Sequence, residues 1–437
     1  MKSLKIAVIG AGSTYTPELI NGFVTRKDCL AVKSFYLMDI DKAKLEIVGN
    51  FAKRIIKEHG LGADVVFTDS LEIAVEGADY VICQVRVGKL DARIRDEKIP
   101  LKHGLLGQET TGAGGFMKAL RTIPVIMNVA KVMERLAPDA WMINFSNPSG
   151  IIAEAILNHT NVKMMGLCNG PIHMIRGLKN AVPEGITEYD YDFIGLNHLA
   201  WITGLYVDGK EILQEKLSNL REISSLQNIP GVIYDELLLR TMKALPVGYL
   251  NYYNFREQQV RHCLEADKCR GEICKDIEAE LLELYLDPNL KEKPALLDKR
   301  GGMLYSEVAV SIIDAIENDR NDKIVVDVKN NGALDFMDED DIIEIKCNVN
   351  RNGATPISPP KLENEYIKGM MRVVKAYEKL TVKAGLEGDY EAALAALLVH
   401  PLVGDYFKAK DVLNEMLKAS EEFLPQFDLL NNDCTSI

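Results

Sequence analysis

The stretch from Lys5 to Thr14, KIAVIGAGST, decides the fold of this chain. A short apolar strand, Leu4 to Ile9, leads into the glycines Gly10 and Gly12, and Pro17 to Val24 has the pattern of the helix that follows. Glycines between a strand and a helix permit a tight turn, and they let backbone N–H groups approach a pyrophosphate at the helix N-terminus. The stretch therefore predicts a dinucleotide-binding turn.

The glycine pattern is incomplete, because Tyr15 stands where a third glycine is usual. Two glycines after a strand can also form a strand–helix turn without any ligand. Asp39 adds a second observation: it ends the next predicted strand, Ser34 to Met38, where it can accept hydrogen bonds from ribose hydroxyls. An acid there favours NAD over NADP, although Asp39 can equally be a strand-end turn residue or a helix cap.

Strand and helix patterns alternate up to about Gly166. Further predicted strands are Val65 to Thr68, Tyr80 to Gln84, Trp141 to Asn144 and Val162 to Leu167, and predicted helices run from an N-cap at Asp41 to His59, Leu71 to Val75, Ala119 to Leu136 and Pro148 to His159. The alternation predicts an α/β fold whose N-terminal domain, residues 1–166, is a Rossmann-type, doubly wound parallel sheet that binds NAD.

The pattern changes after residue 166 and predicts a mixed α+β second domain, residues 167–437, for the catalytic, metal and substrate-binding groups. Two predicted strands, Tyr189 to Phe193 and Ala200 to Val207, flank a loop that carries His198. Further predicted helices are Ile273 to Tyr285, Leu304 to Asn318 and Glu363 to Ala384, and further strands are Lys323 to Val328 and Asp341 to Val349.

The composition is that of a globular protein, with 47% hydrophobic and 26% charged residues among 437. A formal net charge of -13 argues against a nucleic-acid partner, because phosphate contacts need clustered Lys and Arg. The N-terminus lacks a signal-peptide pattern, and the longest apolar runs are too short to span a membrane. Eight irregularly spaced cysteines do not form a disulfide framework, so we expect a cytoplasmic protein without a membrane partner.

Cys168 and His198 are candidate metal ligands. Cys168 follows a predicted strand, at the edge where open α/β sheets bind ligands, and His198 comes about thirty residues later. One Cys and one His do not make a structural zinc site, but they leave room on a divalent cation for substrate oxygens and water. The alternative is a buried free cysteine and a hydrogen-bonded core histidine.

Basic and aromatic residues complete the candidate site. Arg86, Arg93 and Arg95 precede the glycine-rich string GQETTG, and Arg300 stands next to glycines. Arginines in such places can bind an anion or form salt bridges. Tyr249 can be a core aromatic residue, or it can be a base if a neighbouring metal lowers its pKa from about 10.

Seven strings in this order resemble glycoside hydrolase family four: GAGST, GQETTGAGGF (Gly107 to Phe116), NFSNPSG, LCNGPI, GLNHLAW, GYLNYY and KRGG. The resemblance covers nearly the whole chain and implies a fold like that of lactate and malate dehydrogenases. The string CN-x-P resembles the 6-phospho-β-glucosidase branch. The α-glucosidase branch usually has Asp after the cysteine, where this chain has Asn169.

The resemblance implies hydrolysis of 6-phospho-β-glucosides, such as cellobiose 6-phosphate, with NAD and Mn²⁺ or another divalent cation. C3 of the glucosyl unit would be oxidised, C2 deprotonated by Tyr249 and the C1 bond eliminated, after which water adds and C3 is reduced again. A metal on Cys168 and His198 would stabilise the charge that develops on the substrate oxygens.

The resemblance also implies roles for the other candidate residues: Gly10, Gly12, Ser13, Thr14 and Asp39 would contact the cofactor, Arg93 and Arg300 the 6-phosphate, Asn147 and Asn169 the substrate, and Glu109 would orient the substrate or a metal-bound water. The leaving-group acid stays open, since the amide of Asn169 cannot donate as an acid does; a water or Glu109 is a candidate. A homodimer or homotetramer is expected.

Three alternatives remain at this stage. One is a 6-phospho-α-glucosidase of the same family. The second is a 2-hydroxy-acid dehydrogenase, in which His198 would shuttle the proton, Arg93 would bind a carboxylate and no metal would be needed. The third is a nucleotide sensor without turnover, which would tolerate Tyr249→Phe.

Overall fold

The structure is a computed structural model of the 437-residue chain and describes residues 2–220, 234–301 and 304–427. The strands in these ranges are β1 (Ser3–Ile9), β2 (Ala31–Met38), β3 (Asp64–Thr68), β4 (Tyr80–Cys83), β5 (Trp141–Asn144), β6 (Lys163–Gly166), β7 (Asp190–Leu196), β8 (Leu199–Val207), β9 (Lys210–Glu211), β10 (Leu245–Pro246), β11 (Asp322–Lys329), β12 (Ile342–Asn350) and β13 (Gly353–Pro356).

The α-helices of the same ranges are α1 (Thr16–Val24), α2 (Lys42–Glu58), α3 (Leu71–Val75), α4 (Lys89–Lys102), α5 (Gly112–Leu136), α6 (Ser149–His159), α7 (Asn169–Leu178), α8 (Leu213–Lys216), α9 (Glu236–Met242), α10 (Leu250–Asn254), α11 (Arg256–Glu265), α12 (Arg270–Leu286), α13 (Leu296–Lys299), α14 (Tyr305–Glu317), α15 (Glu365–Glu387), α16 (Tyr390–Val399) and α17 (Tyr406–Ala419). Within the described ranges, the helices are all too short or too polar to cross a membrane.

A nine-stranded sheet organises most of the strands, in the order β13-β12-β11-β6-β5-β4-β1-β2-β3. The six strands from β3 to β6 are parallel and follow the 3-2-1-4-5-6 order of dinucleotide-binding folds. The predicted doubly wound parallel sheet is therefore confirmed. Its parallel strands place all their carboxyl ends on one edge.

Strands β11 to β13 join this sheet in antiparallel pairing. Sequence patterns predicted β11 and β12 as strands of the second half of the chain, but they did not reveal that these strands extend the first sheet. A smaller sheet contains β7, β8, β9 and β10, and the hairpin between β7 and β8 turns at Asn197 and His198. The two strands predicted on either side of His198 are thus confirmed.

Helix α5 begins at Gly112, whereas the sequence pattern predicted helix only from Ala119. The difference arises because glycines are poor helix formers and conceal the first turns. Here the glycines are needed for packing: a Cβ atom on Gly114 or Gly115 would overlap the backbone of Gln108 or Thr110. The glycine-rich string is therefore the closely packed start of a long buried helix.

Candidate active site

A cleft of about 770 Å³ lies at the carboxyl edge of the parallel strands. Residues that directly follow strands line it: Gly10 after β1, Asp39 after β2, Gln84 after β4 and Phe145 after β5. Open α/β sheets bind their ligands at this edge.

The turn after β1 is built by backbone hydrogen bonds and one carboxylate. The N–H groups of Gly10 and Ala11 both donate to the Met38 carbonyl oxygen at 2.9 Å, and Gly10 has a φ of +85°, which favours glycine. The Gly12 N–H donates to Asp39 Oδ2 at 2.7 Å, and a Cβ atom on Gly12 would lie 2.8 Å from the same oxygen. Gly12 is therefore required for close contact with Asp39.

Asp39 supports its own loop as well. Its Oδ1 accepts from the Asp41 N–H at 2.9 Å, and Asp41 caps α2 by accepting from the Lys44 N–H. Both oxygens of Asp39 thus accept hydrogen bonds from backbone N–H groups. This is the role of a turn residue at the end of a strand, one of the roles considered for Asp39 from the sequence. Each oxygen keeps a second lone pair for a ligand, and Asp39 lines the cleft.

Ser13 and Thr14 differ in position. Ser13 lines the cleft, and its hydroxyl accepts from the Tyr15 N–H at 3.3 Å. Thr14 is fully buried and outside the cleft lining; its carbonyl oxygen accepts from the Tyr285 hydroxyl at 2.9 Å. Within the described ranges its own hydroxyl has no hydrogen-bond partner, an unusual state for a buried polar group.

Cys168 caps α7. Its Sγ accepts from the Gly170 N–H at 3.3 Å, and the Tyr305 hydroxyl lies 4.0 Å from the same sulfur. Burial raises the pKa of the Cys168 thiol to about 12. Without a cation the residue is therefore a thiol, whereas metal coordination would deprotonate it.

His198 occupies the tip of the β7–β8 hairpin with a φ of +67°. Its ring stacks on that of Tyr249, with centroids 4.0 Å apart and planes at 22°. Burial, together with the charge of Lys118, lowers the pKa of His198 to about 3. The imidazole is therefore neutral, which is the form that binds metal ions.

Tyr249 adjoins both candidate ligands. Burial raises its pKa well above 10. A tyrosine that acts as a base needs a lowered pKa. In the chain without a bound metal, the pKa of Tyr249 is instead raised. A positive charge beside the hydroxyl would lower the pKa again.

Glu109 lies among three cations. Arg86 Nη1, Arg93 Nη1 and Lys118 Nζ lie 2.6, 2.9 and 3.0 Å from its carboxylate oxygens. Burial opposes ionisation, but the charges of Arg86, Arg93 and Lys118 outweigh it and hold the pKa of Glu109 well below 4.5. Glu109 is therefore ionised, and it does not suit the role of leaving-group acid that the sequence left open for it.

The two arginines expected at the 6-phosphate are in different places. Arg300 lines the cleft, with its Nη2 2.9 Å from Glu278 Oε2 and its guanidinium 4.8 Å from the centre of the Tyr15 ring. Arg93 is buried outside the cleft lining, with its Nε 2.8 Å from Glu97 Oε1. Of the basic cluster before GQETTG, it is Arg86 and Arg95 that line the cleft.

The two candidate asparagines adjoin Cys168 or the cleft. Asn147 lines the cleft, its Nδ2 donates to the Phe145 carbonyl at 3.3 Å, and its buried Oδ1 has no hydrogen-bond partner in the described ranges. Asn169 begins α7, and its Oδ1 lies 3.9 Å from Cys168 Sγ.

Two family models match this chain in succession. The model of the family 4 glycosyl hydrolases matches residues 5–184, and the model of the C-terminal domain of the same family matches residues 193–403. The chain belongs to glycosyl hydrolase family 4. The resemblance carried by the seven sequence strings is confirmed, and the protein is a glycosidase rather than a hydroxy-acid dehydrogenase.

Relatives within family 4 match over almost their full lengths. A probable 6-phospho-β-glucosidase of Bacillus subtilis is 41% identical, over 98% of this chain and 98% of its own. The 6-phospho-β-glucosidase of Escherichia coli is 37% identical, over 98% and 97%. A phospho-α-glucosidase of Clostridium acetobutylicum is 31% identical, over 97% and 99%.

Solved structures agree with the family assignment. The 6-phospho-β-glucosidase of Thermotoga maritima with manganese, NAD⁺ and glucose 6-phosphate has a TM-score of 0.88 and 35% identity, over 96% of this chain and 99% of that chain. The malate dehydrogenase of Cryptosporidium parvum has a TM-score of 0.54 at 12% identity, over 88% and 100%, which is a likeness of fold alone. The expected dehydrogenase-like fold is confirmed.

Sequence reasoning missed two residues that line this cleft. Lys118 lies on α5 and lines the cleft beside Glu109; burial lowers the pKa of its ammonium to about 8. Tyr305 lines the cleft beside Cys168 and Asn147. In the sequence, each of them stands three residues after a pair of glycines, and this position was the only signal for either residue.

Proposed function

We propose that this protein hydrolyses 6-phospho-β-glucosides to glucose 6-phosphate and an aglycone, using NAD and Mn²⁺ or another divalent cation. One observation carries the proposal: a buried thiol, a neutral imidazole and a tyrosine meet beside a dinucleotide-type cleft, as Cys168, His198 and Tyr249. The names of the relatives in the β branch support the substrate class.

The cleft fits NAD. Gly10, Gly12, Ser13 and Asp39 line it and would hold the cofactor. Thr14 would support the same turn from behind the lining. When bound, NAD⁺ would accept a hydride from C3 of the sugar and return it later in the same turnover. The net reaction is then hydrolysis.

Cys168 and His198 fit a divalent cation. A buried thiol and a neutral imidazole are donors of the right chemistry, and two protein ligands leave positions for substrate oxygens. When bound, the cation would act as a Lewis acid for the charge that develops on those oxygens.

Tyr249 would take the C2 proton. Its ring is fixed by stacking on His198, and its hydroxyl is hydrogen-bonded to Thr110.

The remaining roles concern the sugar and its phosphate. Arg300 would bind the 6-phosphate at the cleft wall. Arg93 lies outside the cleft lining, beside Glu109, and would add positive charge near the phosphate. Asn147 would bind sugar hydroxyls through its unpaired Oδ1. Glu109 would orient the substrate or a water molecule, as an acceptor only.

We assign the β branch on account of Asn169. The α branch usually has Asp at this position, and an amide cannot protonate a leaving group as that acid could. A C2-deprotonation mechanism needs little acid assistance, since the acidity of C2–H drives the elimination. We further propose the division into residues 1–166 and 167–437, a cytoplasmic location and a homodimer or homotetramer. The free state of every described cysteine is compatible with a reducing compartment.

The test uses p-nitrophenyl β-glucoside 6-phosphate with NAD⁺, Mn²⁺ and a reductant, each omitted in turn. We expect nitrophenol release that requires the phosphate, NAD⁺ and Mn²⁺ and leaves no net NADH. Cleavage of the α anomer alone would move the chain to the other branch. Release without NAD⁺ would contradict the proposal.

A further inference from the structure

Two carboxylates face each other inside the sheet, outside the site described above. Asp327 on β11 and Glu344 on β12 are directly opposite in the strand register, and their residues are 0% and 2% exposed. Like charges opposite each other destabilise a sheet, and burial adds to the penalty.

The pair lies behind the candidate metal ligands. On its other side, Asp327 is opposite Gly166, two residues before Cys168. Asp327 Oδ2 also accepts from the Ser149 hydroxyl at 2.5 Å, and Ser149 follows Asn147 by two residues. Asp327 therefore lies next to the ends of β5 and β6, the strands that lead to Asn147 and Cys168.

Glu344 holds the hairpin tip that carries His198. The Asn197 amide donates to Glu344 Oε1 at 3.0 Å, and Asn197 is only 9% exposed. The next residue, His198, has a φ of +67°, which is unfavourable for a residue with a side chain and needs support from the surrounding structure. This hydrogen bond ties the strained tip to the central sheet.

The charge state of Glu344 suits a hydrogen-bonding role. Besides Asp327, the charged groups of this buried cluster are Glu154 on α6 and Lys375 and Glu378 on α15, and Lys375 Nζ lies 2.7 Å from Glu154 and 2.5 Å from Glu378. Burial, and next the charge of Asp327, raise the pKa of Glu344 well above 4.5. Burial therefore favours the protonated acid, and the protonated acid keeps a carbonyl oxygen as the acceptor for the Asn197 amide.

We propose that Glu344 is a positioning residue, which acts through Asn197 to hold His198 in the orientation that binds the divalent cation beside Cys168. The inference rests on the proposed function, since it assumes a metal at these two residues. It predicts that an amide at position 344 works as well as the protonated acid, and that removal of the acceptor does not.

The test measures Mn²⁺ affinity by electron paramagnetic resonance of the free ion, in the presence of NAD⁺ and glucose 6-phosphate. We expect Glu344→Ala to raise the Kd of Mn²⁺ tenfold or more, as is usual for residues that orient a metal ligand. Glu344→Gln should stay within about threefold of the parent chain, because Gln keeps the acceptor. The Kd of NAD⁺ should not change.

The matched control is Glu154→Ala, which breaks the buried ion pair with Lys375. Within the described ranges Glu154 forms hydrogen bonds and ion pairs with Lys375, Asn158 and the Ile342 N–H, and with neither Asn197 nor Asp327. The control variant should lower stability without changing Mn²⁺ affinity. An equal loss of affinity in Glu154→Ala and Glu344→Ala, or unchanged affinity in Glu344→Ala, would overturn the proposal. If Glu344→Ala does not fold, Asn197→Ala removes the same hydrogen bond from the donor side and must give the same loss.

Cys168→Ser distinguishes a failure of the proposed metal site from a failure of the positioning role of Glu344. Mn²⁺ affinity that is unaffected by Cys168→Ser refutes the proposed metal site itself. Affinity that falls in Cys168→Ser but not in Glu344→Ala refutes only the positioning role.

Discussion

Glu109 illustrates what residue identity alone conveys about this site. The string GQETTG predicts an important acid, and the structure surrounds it with Arg86, Arg93 and Lys118. Arg86 and Arg93 were visible as a basic cluster, but the sequence gives no sign that their partner is Glu109. These contacts change the chemistry of the residue, because an ionised carboxylate held by cations accepts hydrogen bonds and does not donate a proton.

At the same scale, Tyr249→Phe tests the proposed base. The ring stacks on His198, so the fold and NAD⁺ binding should survive the loss of the hydroxyl. We expect kcat to fall by about 10²- to 10⁴-fold, the usual contribution of a general base. Initial rates measure the effect, and urea denaturation checks the fold.

The matched control is Tyr252→Phe, which removes another buried tyrosine hydroxyl close by. It should leave kcat within a small factor of the parent chain. A Tyr249→Phe enzyme with an ordinary rate would exclude Tyr249 as the base.

At the scale of elements, periodicity predicted local structure well but not long-range pairing. The strand Trp141–Asn144 and the Asp41 cap of α2 were predicted from neighbouring residues, since side-chain alternation and capping are local effects. The pairing of β11 with β6 joins Asp327 to Gly166, more than a third of the chain apart in sequence, and no local pattern encodes it. For the same reason, the sequence did not indicate the contact between Asn197 and Glu344.

The start of α5 gives a prediction at this scale. A methyl group on Gly114 would overlap the Gln108 and Asp96 carbonyl oxygens, so Gly114→Ala must displace the helix start that carries Lys118. Overpacking of this kind destabilises by about 1–3 kcal/mol, and we expect activity to fall as well. Urea denaturation and initial rates measure both effects.

Gly369 on α15 is the control, because a Cβ atom there meets nothing within 4 Å. Gly369→Ala should stabilise the protein by about 0.5–1 kcal/mol through helix propensity alone. If the two substitutions had the same effect on stability, the packing role assigned to the glycine-rich string would be wrong.

At the scale of the whole molecule, buried carboxyl groups determine how stability depends on pH. Burial raises the pKa of Glu378 from 4.5 to about 7 and that of Asp327 from 3.8 to about 6. Over these intervals the folded chain binds more protons than the unfolded chain. The stability that they contribute is therefore complete below the unfolded pKa values and is lost as pH rises through about 6 and 7.

Glu378 and Asp327 should lower the free energy of unfolding between pH 4.5 and pH 7, by as much as about 3 kcal/mol for each group. The buried His198 and His400, whose pKa values burial lowers to about 3, act in the opposite direction below about pH 6.5. Glu378→Gln removes the contribution of Glu378, so the stability of this variant relative to the parent chain should rise with pH over the interval. Glu391→Gln, at an exposed position, should leave the difference from the parent chain constant. Urea denaturation across the interval measures it. A Glu378→Gln chain whose stability follows pH just as that of the parent chain does would contradict the assigned shift of Glu378.

In the proposed mechanism, the glycosidic bond breaks only after C2 has lost its proton. Hydrolysis of p-nitrophenyl β-glucoside 6-phosphate in D₂O, with NAD⁺ and Mn²⁺, tests this order of events most directly. Proton NMR of the glucose 6-phosphate product reports on C2, with glucose 6-phosphate incubated without enzyme as the control. The account predicts deuterium at C2 of the product. Bond cleavage with the original hydrogen fully retained at C2 would contradict it.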